Sequence, residues 1–107
     1  MMTVLGYLAD FFAGAFLCNA IPHLVAGLQG VPFPSPFAKP PGIGDSSPLV
    51  NTLWGIFNLL IGILLLVRNP VTIGLSPDFA ALAAGFLLLS IFTSLHFGKV
   101  RQDRSLK

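Results

Sequence analysis

The sequence predicts an all-α integral membrane protein with three transmembrane helices. Three observations carry this. Only 9% of the 107 residues are charged and 54% are hydrophobic, whereas soluble domains carry about 25% charged residues. The mean hydropathy is +0.84. The apolar residues also gather into three runs, each long enough for the roughly 30 Å hydrocarbon core, which takes about 20 helical residues. Read as a single membrane domain over 1–107, the chain divides into a first span at about 4–28, a Pro-rich loop at 29–48 and a second span at 49–67. A short loop at 68–78, a third span at 79–97 and a basic tail at 98–107 follow.

The first span is the least clean, because Asp10, Asn19, Pro22 and His23 interrupt it. Pro22 predicts a kink, since a proline inside a helix leaves the carbonyl four residues earlier, here that of Cys18, without its donor. A cleaved signal peptide is disfavoured: Met1 to Gly6 contains no Lys or Arg, and the apolar run outlasts a usual signal core. Cys18 follows Phe16 and Leu17 rather than the small residue that precedes a lipidated cysteine, and as the single cysteine it forms no intrachain disulfide.

In the first loop, Pro32, Pro34, Pro36, Pro40 and Pro41 exclude a helical ladder and favour extended backbone. Val31, Phe33, Phe37 and Ile43 are costly to leave in water, so the loop is expected to lie along the interface or fold over the helix ends. Ser46-Ser47-Pro48 starts the second helix and Ser76-Pro77-Asp78 the third, each with a hydroxyl cap and a proline in the first turn. Asn69-Pro70 closes the second helix. The short connection after it predicts that the second and third helices are antiparallel neighbours.

Within the second span, Asn51, Gly55, Asn58 and Gly62 recur at steps of four, three and four, which places them on one face. Such a face suits either close helix packing with asparagine contacts or the lining of a path. On the first helix, Gly6, Asp10, Ala13 and Gly14 form a second small face. An intramembrane carboxylate such as Asp10 is a functional candidate, and Arg68 is the one basic residue placed on its side of the membrane.

Lys99, Arg101, Arg104 and Lys107 crowd the tail, and the positive-inside rule puts them in the cytoplasm. Alternating helix direction then places the Pro-rich loop with Lys39 inside and the N-terminus outside a cell membrane. So few basic residues, next to a span, fit anionic lipid headgroups as partner rather than nucleic acid.

The same alternation brings His23 and His96 to one depth, level with Asn19, Asn51 and Trp54, beneath a loop that carries Asp45. Imidazoles there suit proton transfer, a transition metal or haem iron. No His-x-x-x-His pair, Cys-x-x-Cys pair or nucleophile-base arrangement accompanies them, and Gly42-Ile43-Gly44 is too short for a nucleotide loop. The leading expectation is therefore a non-catalytic subunit or self-assembling module of a membrane complex, as a homo-oligomer or with larger partners. The alternatives are a haem, metal or proton-transfer site on His23 and His96, and a minimal oligomeric transporter or channel lined by Asn51, Asn58 and Asp10.

Overall fold

A computed structural model describes residues 3–106; Met1, Met2 and Lys107, the ends of the domain read over 1–107, lie outside the described residues. The chain runs α1 (Val4–Leu28), β1 (Phe33–Pro34), β2 (Asp45–Ser46), α2 (Pro48–Arg68) and α3 (Pro77–Ser105). The fold is all-α apart from the two-residue strands, and three helices are long and apolar enough, by length and composition, to cross a membrane.

Each helix starts where a side-chain oxygen takes up a free backbone amide. Thr3 accepts from the Gly6 amide at 3.2 Å, Ser47 from Val50 at 3.2 Å and Ser76 from Phe79 at 3.3 Å. Prolines follow the two serine caps directly, where a missing N–H costs nothing. Helix α1 continues through Pro22 to Leu28 and is capped at Gln29. Gly30 then takes a φ of 74° to turn the chain into the loop, a region glycine enters without steric penalty. Helix α3 does not stop where its apolar run ends at Phe97. It continues about two further turns, because Lys99, Arg101, Gln102 and Arg104 are good helix formers and no breaker intervenes.

Packing departs from the order of the chain. Helix α1 lies in the middle and packs on both α2 and α3. The expected α2–α3 pairing is thus replaced by an arrangement in which each of them packs on α1. The contacts run antiparallel along α2, from Gly27 near Thr52 to Leu17 near Gly62, and parallel along α3, from Phe11 near Gly85 to Cys18 beside Ser90. The physical reason lies in where the small residues stand. A Cβ on Gly14 would overlap the Leu82 carbonyl, and one on Gly85 the Phe11 carbonyl, so α1 and α3 touch backbone to backbone. On the α2 side, Leu24 covers Gly55 and Leu17 covers Gly62. Asn51, Gly55, Asn58 and Gly62 are the buried residues of α2, whereas α3 buries only Gly85 and Val100 among its 29 residues.

Candidate functional site

The loop between α1 and α2 folds back over the helix ends on hydrogen bonds of its own. Phe33 and Pro34 pair antiparallel with Ser46 and Asp45. Buried Ser35 shares a 2.6 Å hydrogen bond with the Ser46 hydroxyl, and its carbonyl accepts from Gly42 N at 2.8 Å. The peptide between Lys39 and Pro40 is cis.

Asn51 fastens this loop to both helices. Its Nδ2 faces three carbonyls, those of Phe33 at 2.8 Å, Ser47 at 3.1 Å and Ser46 at 3.3 Å, while its Oδ1 lies 2.7 Å from His23 Nδ1. With the amide nitrogen among three acceptors, the oxygen must face the histidine, and His23 Nδ1 must be the donor. In the uncharged ring, Nε2 then carries the lone pair. Two turns along α2, Asn58 donates to the Trp54 carbonyl at 2.7 Å and accepts from Asn19 Nδ2 at 3.1 Å. That contact orients the Asn19 amide as well and leaves its Oδ1 over. On α3, His96 donates from Nε2 to the Gly42 carbonyl at 2.7 Å and stacks on Phe92.

Asn19, His23, Trp54, His96 and Phe97, with Ser35 and prolines of the loop, line one cavity of about 310 Å³. Phe97 stands between the histidines, its ring centroid 6.4 Å from that of His23 and 5.0 Å from that of His96. Among the described residues, the buried polar side-chain atoms left without a partner are both oxygens of Asp10 and the indole nitrogen of Trp54. His23 Nε2 and Asn19 Oδ1 form no hydrogen bond within the chain either, yet they are not among those sealed atoms. Both residues line the cavity, although His23 as a whole is only 2% exposed.

Four of the candidates read from the sequence thus meet at the cavity, and Asn51 stands directly behind His23. Two placements differ from expectation. Asp45 does not join the histidines; it pairs with Arg104 at 3.0 Å, and Arg104 also donates to the Ile43 carbonyl. Asp10 is fully buried toward the other end of the bundle, but Arg68 is exposed and does not pair with it, the ion pair between Arg104 and Asp45 being the one formed among the described residues. Asn51 and Asn58 are buried and spend their amides on contacts within the chain. No group of three or more His, Cys, Asp or Glu side chains is placed to hold a metal ion among the described residues.

Sequence reasoning missed three participants: Ser35, which braces the loop, Ser90, whose hydroxyl lies 3.2 Å from the Cys18 thiol, and Arg104. Only the Pro-Ser-Pro run around Ser35 carried a local signal of a turn. In comparisons with known protein families, curated proteins and solved structures, nothing matches this chain.

Proposed function

We propose that this chain is a multi-pass integral membrane protein that acts as a non-catalytic, packing-based component of a membrane assembly, built with copies of itself or with larger partners. The observation that carries this reading is the distribution of burial. Each helix buries a narrow stripe of small or polar residues and leaves its large aliphatic and aromatic residues outside, Leu53, Phe57, Leu60, Leu87, Phe92 and Leu95 among them. That inversion of a soluble core is ruinous in water and costless in lipid tails. With two buried residues on α3, most of the surface it does not pack on α1 is free for lipid or for another helix. Lys39, Lys99, Arg101 and Arg104 gather at the loop end, and the positive-inside rule makes that end cytoplasmic and the N-terminus external. A 29-residue α3 is about 43 Å long, which exceeds the roughly 30 Å core and lets its basic turns sit among the headgroups.

Alkaline extraction of native membranes tests insertion: the chain should stay in the pellet, and release into the supernatant would end the reading. In intact cells a membrane-impermeant maleimide should label Ile73→Cys and spare Ile43→Cys, and the reverse pattern would invert the topology. Photobleaching of the labelled chain in native-lipid particles should show several copies or a stoichiometric partner. Single, unaccompanied chains would refute the assembly role.

A further inference from the structure

We propose that the cavity beneath the Pro-rich loop binds the ring of a lipid-soluble aromatic alcohol of the hydroquinone class, whose hydroxyl groups donate hydrogen bonds to His23 Nε2 and Asn19 Oδ1. The inference follows from which kind of polar atom the cavity offers. Asn51, held by three carbonyls, turns its oxygen on His23 Nδ1 and so makes that nitrogen the donor. Asn58, held by the Trp54 carbonyl, consumes the Asn19 Nδ2 donor. His96 spends a ring N–H on Gly42. What His23 and Asn19 present to the cavity are therefore acceptors, and an acceptor removed from water needs a donor. A molecule that carries only acceptors, such as a quinone, would set lone pair against lone pair at both atoms, and the unpaired donor of a lining residue, Trp54 Nε1, is sealed from the cavity.

The walls supply the rest of the specificity. The rings of Trp54, Phe92 and Phe97 and the flat faces of Pro34, Pro36 and Pro41 favour a planar apolar body. A volume of about 310 Å³ lies at the small end of small-molecule sites, which run from about 300 to 1,000 Å³. It accommodates one substituted ring. The lipid-soluble character of the ligand rests on the membrane reading above, which alkaline extraction tests separately.

The experiment uses the full chain in lipid nanodiscs with three probes built on one trimethylated ring: trimethylhydroquinone, its dimethyl ether and trimethylbenzoquinone. The chain has two histidines, so ¹⁵N NMR of histidine-labelled protein resolves both rings. Without probe, His23 should show a protonated Nδ1 and an unprotonated Nε2. The hydroquinone should shift the Nε2 resonance saturably, whereas the ether and the quinone should bind at least about tenfold more weakly, the factor for about 1.4 kcal/mol of lost hydrogen bonding. A proton on Nε2 in the empty protein, equal binding of the three probes, or tighter binding of the quinone would overturn the proposal. His23→Leu should abolish the preference for the hydroquinone over its ether, and a preference that persisted would also overturn it. Should that variant fail to fold, the probe series on the unmodified chain still decides.

Discussion

Replacing Asn51 with leucine is the most informative single perturbation of this chain. The side chain is fully buried and makes four polar contacts, one to α1 through His23, two to the loop strands through Phe33 and Ser46, and one to Ser47, the N-cap of α2. Leucine keeps the branching of asparagine at Cγ but is bulkier, so overpacking adds a cost that the control variant Asn58→Leu shares, and the difference between the two variants isolates the polar contacts. Polar contacts between helices in membrane proteins average about 0.6 kcal/mol, which gives about 1.8 kcal/mol for the three hydrogen bonds that two amide hydrogens and the amide oxygen make together. The orphaned His23 Nδ1–H and Phe33 carbonyl raise the expected loss to about 3 kcal/mol, since a buried group left unpaired costs about 1–3 kcal/mol in its own right. The assay is reversible unfolding in mixed micelles followed by circular dichroism, paired with chymotrypsin cleavage after Phe37, which is 63% exposed in the loop. Asn51→Leu should lower the unfolding free energy by at least that amount and speed cleavage, because the loop loses its tie to α2. Asn58→Leu is the control. Of polar contacts it loses only those to Asn19 and Trp54, so about 1.2 kcal/mol of polar stabilisation should go with no change in cleavage. A change under about 0.5 kcal/mol for Asn51→Leu, or equal cleavage of both variants, would refute the view that this amide holds the loop over the cavity.

Two further perturbations probe the packing and the loop clasp. Gly85→Ala should cost about 1–3 kcal/mol, because its Cβ would overlap the Phe11 carbonyl and force α1 and α3 apart, whereas Gly98→Ala meets nothing within 4 Å and should be neutral or mildly stabilising. Similar melting shifts for the two would contradict the backbone contact between α1 and α3. Arg104→Gln removes an ion pair whose side chains are 44% and 39% exposed, so the loss should stay below about 1 kcal/mol and shrink as salt is raised. A larger loss, unchanged by salt, would show that Arg104 does more than clasp the loop.

Much of this fold is legible in the chain because the signals are local. Apolar runs mark the helices, and Ser47-Pro48 and Ser76-Pro77 mark two of their starts through the hydrogen bonds any helix N-terminus needs. The common depth of His23 and His96 follows from alternation of helix direction, and both residues line one cavity. Asn51, Gly55, Asn58 and Gly62 can be read as a stripe because α2 has a single protein-facing side. What escapes such reading is non-local. Whether α3 packs on α2 or on α1 depends on backbone approaches at Gly14 and Gly85 that no periodicity announces. The partner of Asp45 is hidden for the same reason: Arg104 reaches it only because α3 stays helical beyond its apolar run.

The central place of α1 explains both how this helix is tolerated and why a cavity exists. It carries Asp10, Asn19 and His23, where an exposed charge at mid-membrane alone would cost about 2.5–3.5 kcal/mol. A helix at the edge of a bundle has one protein-facing side to hide such residues; a helix between two partners has two. One side of α1 gives Asn19 and His23 to the asparagines of α2, and the other sets Cys18 against Ser90 of α3. The outer helices then need only one polar or small stripe each and can leave the rest of their surface apolar. With α2 and α3 both held on α1, the residues that face each other across it at the loop end, Trp54 and His96, bound a gap. The Pro-rich loop roofs that gap with backbone already satisfied by Ser35, Asn51 and Arg104. The helix that carries Asp10, Asn19 and His23 is thereby the one that gives the cavity much of its polar lining, since moving it to the edge would expose those residues and close the cavity together.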